Sequence, residues 1–276
     1  MLLVLSVQQL LLVSYYSYSS NKNKSNNKSS LKAEAFLFYN KAMQYKQIHF
    51  DEINSTNTYL KNTYRLLDNF TFASTDYQNH GKGRNDRVWS SKKGENLMFS
   101  FLIKDKALLD KAPIVSLLSA AIIAKTLETY KIKDVSIKWP NDVLIGDKKV
   151  CGILAEGESS NYLVVGIGLN VNQKEFPSDL RRPATSLSIE NKQDIDIEQL
   201  KEKLFPSIVN SLSDIHTNDY LEYFRKHNYL QNKRVRVLVN NQTFIGEVVG
   251  IDDNFYLQIL SRDMLLHIDS GEIEIL

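Results

Sequence analysis

The sequence predicts an α+β fold in which helices pack on a sheet, followed by a small β-barrel at the C-terminal end. Three observations carry this. Strand-like and helix-like stretches are interspersed from Tyr45 to Tyr229, the stretch from Ala112 to Tyr130 is apolar at helical spacing, and after Asn232 only short strands remain. The chain is long enough for both parts. At 276 residues and 43% hydrophobic, it allows one sizeable domain plus a small one.

The elements follow in order. YKQIHF alternates like a strand and gives way, behind the cap-type residues Asn54 and Ser55, to apolar residues at helical spacing. FTFAST and NLMFSFLI (Asn96 to Ile103) read as strands that bracket a loop. From Ala112, residues Ile114, Leu117, Leu118, Ala121, Ile122 and Leu127 mark one wide helix face, and Pro113 stands at a tolerated early position. Four β-rich runs follow, VSIKW, DVLI, KVCGILAE and YLVVGIGLNVN, separated by PND, GDKK and GESSN. Leu200, Leu204, Ile208 and Leu212 form a second helical stripe, and an aromatic-rich helix is expected around Tyr220 to Tyr229. RVRVLV, TFIGEVVGI, FYLQIL, LLHI and EIEIL then make the barrel.

The N-terminal stretch reads differently. MLLVLSVQQLLLV is shorter than the roughly 20 apolar residues a membrane span takes, and no Lys or Arg precedes it as in a secretion signal. Residues 1–42 are therefore expected to be a disordered extension, or sequence upstream of a start at Met43. Residues 43–230 then form the main domain and residues 231–276 the barrel.

Composition excludes some functions. Lys and Arg number 34 against 32 acids, a formal charge of +2, so no whole-molecule field draws the chain to nucleic acid or to anionic lipid. Any basic site must be local. The single cysteine, Cys151, permits no internal disulfide, fits a reducing and hence cytoplasmic compartment, and lies in an apolar run as a buried thiol would. The five histidines, His49, His80, His216, His227 and His267, are scattered without metal-ligand spacing.

Two basic segments stand out. In YQNHGKGRNDRVW, Gly81 and Gly83 alternate with Lys82 and Arg84, and Arg87 and Trp89 follow. Such a loop brings backbone N–H groups and cations close to a phosphate or carboxylate, although a solvated basic turn has the same composition. It is not a Walker loop, which requires G-x-x-x-x-G-K-[ST] ahead of a helix. The second segment, KWPNDVLIGDKKVCGILAE, runs from Lys138 to Glu156. Taken alone, Lys138 reads equally as an exposed strand-end lysine and Asp142 as a turn residue, and Trp139 reads most simply as a core or boundary residue.

With STN at Ser55 to Asn57 ahead of them and GIGLNVN behind, these motifs resemble, in the same order, those of biotin protein ligases from about Ile48 to the end. The resemblance implies a mixed sheet flanked by helices, related to class II aminoacyl-tRNA synthetases, and an SH3-like C-terminal barrel. It implies a biotin–[biotin carboxyl-carrier protein] ligase that uses ATP and Mg²⁺ to make biotinyl-5′-AMP and then passes biotin to a lysine of a carboxylase carrier domain. By the same resemblance, Ser55, Thr56, Asn57 and Gln78 would line biotin's ureido end, with Gly152, Gly166 and Gly168 on the floor. Lys82, Gly83 and Arg84 would close over the biotin carboxylate and the adenylate phosphate. Arg87, Trp89, Asn141, Asp142 and Asn170 would hold ATP, Asp142 being the candidate Mg²⁺ ligand. Arg84 and Lys149 would be the catalytic pair, Lys149 meeting both the carboxylate and the α-phosphate, while Lys148 stays solvated.

The chain departs from the family pattern at Lys82, where an arginine is usual, and at Asp86, where a glycine is common. Lys82 keeps the charge but loses bidentate geometry, and Asp86 places a negative charge in the loop. Residues 1–42 are too short for the winged helix that some members carry, so no nucleic-acid partner is expected, nor a membrane; a gel shift on a biotin operator checks the former. The chain is expected as a monomer or homodimer. A lipoate ligase would carry an RRxSGGG-type run, which is missing here. An RNA-binding module would show aromatic residues interleaved with basic ones, and it does not.

Overall fold

The computed structural model of the chain describes residues 35–40, 45–85, 87–158, 160–213, 217–239 and 242–276. In order the elements are β1 (Ala35–Asn40), β2 (Tyr45–Phe50), α1 (Thr56–Thr63), β3 (Thr71–Thr75), β4 (Asn96–Ile103), α2 (Lys106–Leu109), α3 (Ala112–Glu128), β5 (Val135–Lys138), β6 (Asp142–Ile145), β7 (Lys148–Glu158) and β8 (Tyr162–Asn170). There follow α4 (Leu187–Asn191), α5 (Ile197–Ser213), α6 (Thr217–Lys226), β9 (Arg234–Val239), β10 (Gln242–Ile251), β11 (Leu257–Ser261), β12 (Met264–Ile268) and β13 (Glu272–Ile275). The main sheet has the order β1-β2-β3-β4-β8-β7-β6-β5. Its β2–β3 pair is parallel and its other neighbours antiparallel, so the sheet is mixed. A parallel pair needs a crossover, and α1 supplies it.

NLMFSFLI is apolar on both faces because both faces of β4 are covered. Every residue of β4 is buried. On one side, Tyr59 and Leu60 of α1 pack with Ile48, Phe50, Leu102 and Val164. On the other, Phe72, Phe99 and Phe101 meet α3 and α5, with Phe72 and Phe205 stacked at a centroid distance of 4.3 Å. Burial of that many aromatic rings in one layer supplies much of the core's apolar area.

The C-terminal strands form the expected small all-β unit, an antiparallel sheet of order β12-β11-β10-β9-β13. It shares the core of the main domain. Val235, Val237, Phe255 and Ile259 belong to the same buried cluster as Ile137 and Trp139, and Trp139 Nε1 donates to the Phe255 carbonyl at 3.1 Å. The core reading of Trp139 therefore holds, at 1% exposure.

Two boundaries differ from expectation. Residues 35–40 fall within the stretch expected to be disordered, yet they pair along β2 from Ala35↔Phe50 to Asn40↔Tyr45. The reason is the open edge of β2, whose backbone groups the added strand satisfies. Residues 1–34, and Met43 with the start assigned to it, lie outside the described residues. The aromatic-rich helix stops at Lys226 instead of reaching Tyr229. There the chain turns to bond with β5, through Ile137 N to His227 O at 2.8 Å and Tyr229 N to Ile137 O at 3.0 Å. Among the described residues, no helix is long and apolar enough to cross a membrane.

Candidate active site

Ser55 caps α1, its hydroxyl accepting from Thr58 N at 3.4 Å, and this places STN, all three residues buried, at the closed end of a pocket in the sheet. Gln78 is tied to it. Its Oε1 accepts from Thr56 N at 2.9 Å and lies 3.2 Å from Thr56 Oγ1. The basic loop then forms a narrow ribbon, in which Lys82 bridges Val88, Gly83 N donates to Arg87 O at 2.7 Å and Trp89 N to Gly81 O at 3.0 Å. Asn85 turns the tip with φ 54°, a left-handed conformation that asparagine tolerates. The charge expected at Asp86 falls on a residue outside the described ones.

The pocket floor is smooth because it is glycine. A Cβ at Gly166 would lie 2.1 Å from Asn57 Oδ1, and one at Gly168 would lie 2.4 Å from Trp89 Cε2. Both positions therefore exclude any side chain. Ser55, Thr56, Asn57, Gln78, Lys82, Gly83, Arg84, Trp89, Asn141, Lys149, Gly152, Gly166 and Gly168 all line this narrow pocket. It opens on a larger cavity of about 550 Å³ that shares Gly83, Arg84, Trp89, Asn141 and Lys149 and adds Arg87, Asp142 and Asn170. Every site residue expected from the sequence thus faces one of two adjoining spaces.

The two motifs meet through specific bonds. Arg84 Nη1 donates to Asn141 Oδ1 at 3.3 Å, while Asn141 Nδ2 is held by the Ile153 carbonyl at 2.7 Å. Lys149 Nζ lies 2.7 Å from Asp142 Oδ1 and 5.5 Å from the centre of the Trp89 ring. The guanidinium of Arg84 has its pKa lowered, chiefly by burial and against the attraction of Asp142 and Glu272. The thiol of Cys151 is pushed far up by burial, which keeps it protonated and inert as the sequence suggested.

Residues 49–172 match the biotin/lipoate A/B protein ligase family, and residues 231–276 match the biotin protein ligase C-terminal domain. The bifunctional ligase/repressor BirA of Bacillus spizizenii is 32% identical over 243 residues, which span 83% of this chain and 73% of that protein. This chain belongs to the biotin protein ligase family. The biotin protein ligase of Aquifex aeolicus, solved in complex with biotin and ATP, has a TM-score of 0.72 and 29% identity over 83% of this chain and 97% of that one. The bifunctional ligase/repressor BirA of Escherichia coli is 26% identical over 81% of this chain and 72% of its own length. The enzyme is a biotin–protein ligase.

Several residues of the ligase site were not singled out from the sequence. Gly271 O accepts from Arg84 Nη2 at 3.3 Å, and Glu272 accepts from Arg87 Nη2 at 2.8 Å and from Asn85. Strand β13 thereby reaches the basic loop across some 185 positions of sequence. Arg181 and Arg182 also line the larger cavity. No local pattern marks these contacts, because they arise only when the barrel docks. Lys148 is half exposed, as expected, with Glu190 at 3.7 Å.

Lys138 is not the exposed strand-end lysine that one reading allowed. It is half-buried on the cavity wall, and burial lowers its pKa from 10.5 to about 8 against the pull of Asp142. Its charge therefore opposes folding in full below about pH 8. The penalty fades as pH rises toward 10.5, where the unfolded chain also loses the proton. Lys138→Met is expected to raise the melting temperature at pH 7, with the gain shrinking between pH 8 and 10. Calorimetry across that range checks the sign.

Asp142 is one carboxylate beside a lysine, a modest metal site by itself; Mg²⁺ commonly takes one or two carboxylates and completes its shell with phosphate oxygens and water. The residue fits a metal that arrives with a nucleotide. A second group, His49, Asp51 and Asp76, brings its ligand atoms within 4.8 Å of one another, which the histidine spacing in the sequence did not suggest. None of the three lines the pocket or the cavity.

Proposed function

We propose that this ligase joins biotin to ATP as biotinyl-5′-AMP and then transfers the biotinyl group to a lysine of a carboxylase carrier domain. In the first step a biotin carboxylate oxygen bonds to the α-phosphorus, and pyrophosphate leaves with the electron pair of the broken P–O bond. In the second, the carrier's neutral ε-amine attacks the acyl carbon, AMP leaves, and the amine gives up a proton. The first step brings two anions together, so positive charge and fixed geometry are the main requirements.

The observation that carries this reading is the convergence of Arg84 and Lys149 on one pocket that also holds Ser55, Thr56, Asn57 and Gln78. Neutral donors and acceptors at the closed end suit an uncharged ureido ring, and the cations suit the carboxylate and phosphate at the open end. Asn141, Asp142, Asn170, Arg87 and Trp89 lie along the larger cavity, whose volume of about 550 Å³ suits a nucleotide. Mg²⁺ bound with ATP would neutralise phosphate charge near Asp142. Trp89 offers a flat face against Lys149 and the glycine floor.

Biotin-dependent exchange of labelled pyrophosphate into ATP tests the first step, and label transfer to a carrier domain tests the second. Exchange driven by lipoate and not by biotin would overturn the substrate. Arg84→Gly is expected to release the adenylate into solution. Arg84 is the cation tied to Asn141 and Gly271, and one lost charge-assisted contact is worth about 1.5–3 kcal/mol, a roughly tenfold to hundredfold weaker hold. Biotinylation of bystander lysines reads this out.

A further inference from the structure

Behind the closed end of the pocket sits an ion pair that the reaction does not touch. Glu156 Oε2 accepts from Asn57 Nδ2 at 2.7 Å, and Glu156 Oε1 accepts from Lys61 Nζ at 2.7 Å. The side chains of Lys61 and Glu156 are only 32% and 25% exposed. Burial pushes the Glu156 pKa up, but the Asn57 amide and Lys61, with Lys82 farther away, leave it below the ordinary value. The group is therefore a carboxylate that can only accept.

An accept-only neighbour fixes which way the Asn57 amide faces. The flipped amide would set its carbonyl oxygen against a carboxylate oxygen at 2.7 Å and, more weakly, against the Leu154 carbonyl at 3.4 Å, so Nδ2 points to Glu156 and Oδ1 to Ser100. Ser100 Oγ donates to that Oδ1 at 2.5 Å, which commits its one proton. The 2.6 Å contact between Ser100 Oγ and Thr56 Oγ1 then requires Thr56 to donate, in preference to its longer 3.2 Å approach to Gln78. What Thr56 has left for a ligand is a lone pair. Gln78 Oε1 is taken by Thr56 N at 2.9 Å, so Gln78 turns its N–H groups elsewhere.

We propose that Glu156 is a positioning residue whose carboxylate sets the direction of the run Asn57–Ser100–Thr56, so that an acceptor at Thr56 stands beside a donor at Gln78. That pattern complements the N–H and C=O groups of a cyclic urea, and the inference rests on the reading of this pocket as biotin's. Glu156 never meets the ligand. It acts through three buried side chains, Asn57 and Thr56 of α1 and Ser100 of β4.

Glu156→Gln keeps the shape but supplies an N–H. It can donate to Asn57 Oδ1, which reverses the run and turns the Thr56 proton toward the ureido N–H. The expected result is a biotin Kd and KM raised about tenfold to hundredfold, with kcat at saturating biotin and the KM for ATP nearly unchanged. Ser100→Ala interrupts the same run and is expected to give a similar selective loss, and the two changes together add little to either alone. Lys61→Met removes the tie between α1 and β7 but keeps an accepting carboxylate, so it changes biotin affinity far less. Wild-type-like biotin binding by a folded Glu156→Gln variant overturns the proposal. So does a loss in which kcat, both KM values and the melting temperature fall together, or one that adds fully to that of Ser100→Ala. Should Glu156→Gln fail to fold, Ser100→Ala decides: unchanged biotin affinity there refutes the run. A wild-type chain that binds no biotin at all would instead overturn the assignment of the pocket.

Discussion

Lys149→Ala is expected to slow biotinyl-adenylate formation by about 10²- to 10³-fold, the range seen when one fixed donor at a developing charge is removed. Lys149 is the second residue of β7, next to the bend where β7 shifts register against β6, which aims its ammonium between Asp142 at 2.7 Å and the Trp89 ring at 5.5 Å. On the proposed reading, removing it takes away the cation that would meet both reacting anions. It also leaves the Asp142 carboxylate, 19% exposed, without its partner. Both consequences raise the barrier. Single-turnover quench-flow with labelled ATP measures the step directly, and a rate within a few-fold of wild type would show that the cation is not at the reacting centre. The carrier-transfer step, started from synthetic adenylate, is expected to suffer less, because it brings no second anion to the site.

The largest effect on stability is expected at Trp139, well away from the chemistry. Trp139→Ala removes a fully buried indole from the junction between the main domain and the C-terminal sheet and leaves the Phe255 carbonyl without its donor. Large-to-alanine changes of this kind cost about 3–5 kcal/mol, and an orphaned buried acceptor adds to that. For a chain of this length the melting temperature should fall by roughly 10 °C or more. Trp139→Phe keeps most of the volume and loses only the hydrogen bond, so it is expected to fall between the two. Calorimetry with biotin and ATP absent separates this from ligand-linked stability. If the two variants melt together with wild type, the two parts do not share a core.

How much of this was legible beforehand depended on the range of the interaction. NLMFSFLI was readable as a strand because its two covered faces leave a continuous apolar run, and Ser55 as a cap because capping is a contact between residues three apart. The pocket residues were readable only through order and spacing of whole motifs. A loop such as GKGRNDR by itself is equally a solvated turn. What makes it a site is Asn141, 57 positions away, accepting from Arg84. Glu156 and Ser100 carried no mark at all. An acid at the end of a strand and a serine inside one are ordinary, until Asn57 is found between them. The helix expected to reach Tyr229 ended early for the same kind of reason, since pairing of His227 and Tyr229 with β5 outweighed helical periodicity.

The sequence by itself determined the element types, the two-part organisation, the family and the residues that line the pocket and the cavity, because those follow from local periodicity and from motifs with their own spacing. Tertiary structure alone decided that residues 35–40 extend the sheet, that β13 reaches across to the basic loop and that Lys138 is half-buried. It also decided that Asn57 lies between Glu156 and Ser100. These depend on which distant groups share a desolvated space, and charge, burial and hydrogen-bond polarity have no meaning until the chain has closed around them.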